Sequence, residues 1–174
     1  MKKIFAIEKK HSKDIPFSAV LATPFGKIGI KTIDEDGHQN LYEINYLSES
    51  QVLIAPQNTL SKEVIKQIKA YLKDPEFQFE VPLSIQGTFY QRKVWEQISK
   101  IPTGQTITYG SIAKIIRSGP RAIGGACGAN PFPLIIPCHR VVSAAGLGGF
   151  VKENKQGYYR DIKGWLLRHE KALV

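Results

Sequence analysis

The spacing of apolar positions predicts strands in the first quarter of the chain and helices from residue 61 onward. Phe17 to Leu21 alternates loosely and runs into Thr23-Pro24-Phe25-Gly26, where Pro and Gly are placed to reverse the chain. Lys27 to Ile33 then alternates polar and apolar residues as a half-buried strand does. A turn at Asp34-Glu35-Asp36-Gly37 leads to a further strand over Leu41–Leu47, so an antiparallel meander is expected. The period then lengthens. Val64, Ile65, Ile68, Tyr71 and Leu72 fall at helical spacing, with Ser61 read as the N-cap and Pro75 as the stop. Val81 to Gly87 reads as a linker.

Beyond it the pattern is helical. Thr88 with Gln91 forms a capping box, and Val94, Trp95, Ile98 and Ile101 mark a buried face that Pro102 ends. A second short helix covers Thr108 to Arg117, with Ile112, Ile115 and Ile116 as its apolar side. Ser118-Gly119-Pro120 makes a turn, with Pro120 suited to the first helical position. A third helix follows over Arg121 to Ala129 and stops at Asn130-Pro131. Two short helices joined by a tight Gly-containing turn read as helix-turn-helix. Gly124, Gly125 and Gly128 each cost the third helix about 1 kcal/mol relative to Ala. They serve either close backbone approach by something outside or tight packing against the core. Ile162, Trp165, Leu166 and His169 give a last helix its buried face. The expectation is an α+β protein, with residues 1–86 a small α+β support domain and 87–174 a second, mostly helical one.

Composition adds charge to this division. The chain has 174 residues, 43% hydrophobic and 22% charged, as globular proteins do. No apolar stretch approaches the ~20 residues that span a bilayer, and the apolar part of Met1 to Lys10 is too short for a signal peptide. Two cysteines, Cys127 and Cys138, make no disulfide framework and fit a reducing, cytoplasmic setting. Residues 1–87 hold 11 Lys and 11 Asp+Glu, so the net charge of +9, with every arginine, belongs to the second half. Such a basic half suits either polyanion binding or a solvated surface kept for solubility.

The chemistry concentrates in Asn130-Pro-Phe-Pro-Leu-Ile-Ile-Pro-Cys138-His139-Arg140-Val141-Val142. An apolar run is stopped by Pro137, and a thiol, an imidazole and a guanidinium follow in consecutive positions. That suits an activated thiolate, although a lone Cys beside an Ile/Val run is also an ordinary core residue. Cys127, with no His or Arg adjacent, reads as a packed thiol. Glu170 is either an exposed last-turn carboxylate or a buried partner for His139. His11 and His38 stand alone with no Cys near them, so no metal site is expected.

Taken in order, Thr108-Tyr109, Arg121-Ala-Ile-Gly124, Asn130-Pro131, Pro137-Cys-His-Arg-Val141, Lys163, Leu166-Leu167 and Glu170 resemble the O6-alkylguanine-DNA alkyltransferase family (methylated-DNA–protein-cysteine methyltransferases). The resemblance covers Gly87 to Glu170, and more weakly the turn at Thr23–Gly26. It implies a ribonuclease H-like support domain and a helix-turn-helix domain that binds double-stranded DNA through the minor groove. It implies a monomer without cofactor, in which Cys138 takes the alkyl group from O6 of a flipped guanine, or O4 of thymine, and keeps it. His139 would be the base, acting through a water, and Glu170 its orienting carboxylate. Asn130 would hold the turn, Tyr109 would rotate the nucleotide and supply a proton, and Arg121 would fill the vacated stack. Pro133, Val141 and Phe150 would line the pocket. The chain departs from the family's pattern at 150–157, which is longer and more charged. Two other classes would use the same residues: a Cys-His hydrolase that turns over, and a lesion-binding protein that transfers nothing.

Overall fold

A computed structural model describes residues 12–84, 86–148 and 156–172. Strands β1 (Ala19–Thr23), β2 (Gly26–Glu35) and β3 (His38–Leu47) form an antiparallel sheet in chain order. The register runs Ala19 opposite Ile30 and Ile28 opposite Tyr46, with a shift at Lys31/Thr32. This is the expected meander, since each turn falls where Pro, Gly or Asp breaks the alternation.

Helix α1 (Thr59–Lys73) packs across the sheet through Leu60, Val64, Ile68 and Tyr71. Its N-cap is Asn58, not the expected Ser61. Asn58 Oδ1 accepts from Ser61 N–H at 2.8 Å, and the Ser61 side chain answers the Asn58 backbone. Ser61 is therefore the third residue of a capping box, whose two ends carry interchangeable residue types. The expected linker is also more than a linker. Leu41 N–H donates to Pro82 O at 2.8 Å and Ser84 N–H to Leu41 O at 2.9 Å, which lays this segment beside β3.

Helix α2 (Phe89–Ser99) starts at Thr88 with the expected capping box. Gly87 before it has φ +78°, and a Cβ there would come within 2.5 Å of the Trp95 ring. The pair β4 (Ile107–Thr108) and β5 (Val141–Val142) is parallel, and it sets the start of α3 (Tyr109–Ile116) beside the segment after Cys138. Helix α4 (Pro120–Gly128) begins with Pro at its first position, and α5 (Gln156–His169) closes the chain. In α3, Ile112 and Ile116 are buried, but Ile115 is 60% exposed and does not belong to the apolar face. A Cβ on Gly124 or Gly125 would meet nothing within 4 Å, so those glycines face open space and not the core.

The protein is thus mixed α+β, with five α-helices and two small sheets among the described residues. Buried residues of the sheet and α1 join those of α2 to α5 in one cluster. Two hydrogen bonds position the end of α4 and the turn beyond it. Trp95 Nε1 donates to Ala126 O at 2.8 Å, which fastens α2 to the end of α4. Ile44 N–H donates to Pro131 O at 2.8 Å, which ties β3 to the turn leading to Cys138.

Candidate active site

The turn after α4 is built by one side chain. Asn130 Oδ1 accepts from Phe132 N–H at 2.9 Å, and its amide donates to Ile136 O at 2.8 Å and to Cys138 Sγ at 3.1 Å. A short polar residue that bonds its own backbone two positions on is what such a turn requires. Within it Leu134 has φ +74°, a conformation disfavoured for a bulky residue. Its side chain is buried, which holds the turn in place. Pro137 ends the apolar run, and Cys138–Arg140 follow as a single 3-10 turn.

That turn sends Cys138 into a cavity wall and His139 and Arg140 to one carboxylate. Cys138 is 2% exposed, in the wall of a cavity of about 60 Å³ also lined by Cys127, Gly128, Asn130, Pro133 and the β3 residues Ile44 to Tyr46. Burial pushes the Cys138 thiol well up, and the neighbouring Cys127 thiol pushes it further. The Asn130 amide and the Lys163 charge pull it back without prevailing. At rest Cys138 is a thiol, so its use as a nucleophile needs a base.

His139 is also buried, and its Nε2 lies 2.8 Å from Glu170 Oε1. The alternative left open in the sequence is settled, because Glu170 is 3% exposed and is the partner of His139. Burial raises the Glu170 carboxyl, but hydrogen bonds from His139 and Arg140 and their charges outweigh it and hold it at about 2. An ionised Glu170 only accepts, so Nε2 carries the proton and Nδ1 is the nitrogen left to receive one. Burial keeps the His139 pKa below its ordinary value even though Glu170 works against it, so the ring is neutral near pH 7. Arg140 grips the same carboxylate with two donors at 2.9 Å and bonds Ile101 O at 2.6 Å.

Two other elements supply groups whose place the sequence did not reveal. Tyr71 of α1 donates its hydroxyl to Glu170 Oε1 at 2.8 Å. Lys163 of α5 is fully buried; its ammonium donates to Val141 O at 2.5 Å and lies 5.6 Å over the Tyr109 ring. Burial lowers the Lys163 pKa to about 8, with Cys127 and Cys138 acting in the opposite sense. Cys127 is packed, as read, but it also shares a cavity wall with Cys138. Tyr71 had registered only as an apolar helix position, and nothing in local spacing marks a residue 99 positions from its partner.

The structure therefore gathers Cys138, His139, Asn130 and Glu170, with Pro133 beside the thiol. Tyr109 and Arg121 line a separate open groove with Pro120, Gly124, Gly125 and Ser143. Val141 is fully buried in β5. Phe150 lies outside the described residues. Among the described residues no His, Cys, Asp and Glu cluster able to hold a metal is present.

Comparison with known proteins gives this arrangement a context. Residues 89–172 match the model of the DNA-binding domain of 6-O-methylguanine DNA methyltransferases. A probable methylated-DNA–protein-cysteine methyltransferase of Acanthamoeba polyphaga mimivirus is 38% identical over 149 residues, 83% of this chain and 92% of that protein. A methylated-DNA–protein-cysteine methyltransferase of Methanosarcina acetivorans is 34% identical over 162 residues, 88% of this chain and 97% of that protein. The structure of Mycobacterium tuberculosis OGT in complex with DNA superposes with a TM-score of 0.69 at 32% identity, covering 88% of this chain and 91% of that one.

Proposed function

The chain belongs to the methylated-DNA–protein-cysteine methyltransferase family, and from that premise we propose that Cys138 is its alkyl acceptor and His139 the base that activates it. The activity is direct DNA repair: an alkyl group passes from O6 of guanine in DNA to a cysteine of the protein, once per molecule. The observation that carries the assignment of residues is the continuous line from Glu170 through His139 to the Cys138 turn.

In the proposed step, His139 Nδ1 takes the Cys138 proton through a water. The sulfur attacks the alkyl carbon, and the carbon–O6 bond breaks with its electron pair going to the guanine. Tyr109 supplies the proton that guanine gains, and the ionised Glu170 stabilises the imidazolium. The product is a thioether, which no group at the site hydrolyses, so the protein is consumed. The target atom is out of reach inside a base stack, so the nucleotide is flipped, at a cost of a few kcal/mol. Arg121 at the head of α4 fills the gap, and Gly124 and Gly125, open to the outside, let the helix backbone approach the minor groove.

On this reading α3 and α4 are a helix-turn-helix, and 87–174 is the DNA-binding and transfer domain. Residues 1–86 are a ribonuclease H-like support whose β3 closes the cavity, and Pro133, Val141 and Phe150 shape the pocket. The protein works as a cytoplasmic monomer without cofactor, and its phosphate contacts make DNA affinity fall as salt rises.

The deciding experiment uses duplex DNA carrying one O6-methylguanine with a labelled methyl group, with the label located by mass spectrometry. One label per protein, on Cys138, is expected. Repeated turnover would indicate a hydrolase, and binding without label would indicate a lesion-binding protein.

A further inference from the structure

The Tyr71 hydroxyl comes from the opposite half of the chain to meet the carboxylate behind the proposed base. Tyr71 is 2% exposed, packed against Phe79 and His169 with ring centroids 5.6 and 5.2 Å away. A buried tyrosine needs one partner for its hydroxyl, and a backbone carbonyl would satisfy it. Here it goes instead to an ionised carboxylate oxygen. Glu170 Oε1 already receives His139 Nε2 at 2.8 Å and Arg140 Nη2 at 2.9 Å. Three donors share that one oxygen, while Oε2 receives Arg140 Nε. Each donor draws on the same negative charge, so each weakens the hold of the others.

We propose that Tyr71 is a positioning residue for alkyl transfer: its hydroxyl, by sharing Glu170 Oε1 with His139, limits how strongly Glu170 favours the imidazolium and so sets the basicity of His139. The inference rests on the reading of His139 as the base. It also gives the first half of the chain a part in the chemistry beyond support.

The charged and titratable groups around the pair can be named one by one. Facing His139 are Glu170, Arg140 and Lys163, with Cys138 adjacent; facing Glu170 are also Tyr71 from α1 and Tyr46 from β3. On the acid side of neutrality Arg140 and Lys163 are charged, and Cys138, Tyr46 and Tyr71 keep their protons. Glu170 is ionised down to about 2. His169, next to Glu170 and edge-on to the Tyr71 ring, is a second imidazole in these surroundings, so an acid limb in the transfer rate is assigned to His139 where it coincides with the titration of the His139 ring itself.

The test compares full-length wild type, Tyr71→Phe and His139→Gln on duplex DNA containing one O6-methylguanine. Single-turnover rates are followed across roughly pH 5 to 9, where histidine titrates, and the His139 ring is titrated by NMR. Removing the hydroxyl leaves more of the Glu170 charge for His139. In Tyr71→Phe the limb and the ring titration should both move up by about half to one pH unit. Transfer on the limb should be roughly three- to tenfold slower, with the rates converging on the alkaline side. A fluorinated tyrosine at position 71, a stronger donor of nearly the same size, should move both downward, and it decides the matter if Tyr71→Phe does not fold. Unmoved limbs, or a uniform loss at every pH, would overturn the role of Tyr71. A limb that persists in His139→Gln would instead overturn His139 as the base.

Discussion

Asn130 Nδ2 lies 3.1 Å from Cys138 Sγ, so the side chain that shapes the turn is also the one that touches the sulfur. Shape and reactivity are coupled there. Asn130→Ala removes the donor to the thiol together with the bonds to Ile136 O and Phe132 N–H. The loss of stability should be about 1–3 kcal/mol, the usual cost of stranding buried backbone groups, measurable by urea unfolding. Asn130→Asp separates the two roles. Its carboxylate still accepts from Phe132 N–H but places negative charge beside the sulfur, so Cys138 should react more slowly with a thiol reagent than in wild type at the same pH.

Cys127 works against Cys138, and its removal should show this. The buried Cys138 thiol is raised first by burial and next by Cys127. In Cys127→Ala the pH profile of Cys138 modification should therefore move to lower pH. Stability carries the same signature. A thiol whose folded pKa is raised favours the native state below the ordinary thiol value and loses that contribution as pH rises toward the folded one. The wild type should weaken with increasing pH above the ordinary thiol range, and Cys127→Ala should weaken less. Unfolding curves for the two proteins at matched alkaline pH check it.

Much of this architecture could be read in advance, and the failures have physical causes. The hairpins were legible because Pro24, Gly26 and Gly37 interrupt a period of two, and α2 because Thr88 and Gln91 form a capping box. The same box misled at α1: Asn58 and Ser61 are both capping types, and only the observed bonds say which one lies outside the helix. Ile115 fits the i+3 rule with Ile112, yet α3 is short and narrow-faced, so its neighbour Ile116 takes the buried place. Cys138 and His139 were visible as adjacent residues of a motif. Tyr71 and Cys127 were not: Tyr71 lies 99 positions from its partner, and Cys127 meets Cys138 only because the turn between them folds back to one cavity. Spacing alone left Glu170 as one of two alternatives, and only the family resemblance made it the partner of His139.

Lys163 should matter more to chemistry than to folding. Its pKa is lowered from 10.5 to about 8, chiefly by burial, so the charged form costs stability below that range. As pH rises from about 8 to 10.5 the unfolded chain holds the extra proton, and the native state gains roughly 3 kcal/mol from this group. Lys163→Met should flatten that gain. At lower pH it should leave stability little changed, because a buried charge is replaced by an apolar side chain of similar length. Alkyl transfer near pH 7 should nevertheless slow, since the cation that favours the Cys138 thiolate is gone. Parallel losses of stability and transfer at acid pH would contradict this.

Glu170 behaves in the opposite way, because its folded-state pKa is depressed. Its carboxyl is held at about 2 against an ordinary value of 4.5. The stabilisation is complete above the ordinary value and is lost as pH falls from 4.5 toward about 2. That difference corresponds to roughly 3 kcal/mol at neutral pH. Glu170→Gln keeps the volume but leaves Arg140, His139 and Tyr71 donating toward an amide, half of which is itself a donor. The variant should be about 3 kcal/mol less stable at pH 7, and the gap should close steadily on acidification as the wild type loses its own carboxylate. Urea unfolding at a neutral, a mildly acid and a strongly acid pH measures the gap. A gap that stays constant would mean that the loss comes from the amide donor facing Arg140, His139 and Tyr71 and not from the missing carboxylate charge. Its closing would show that the ionised carboxylate is what ties the end of α5 to the Cys138 turn.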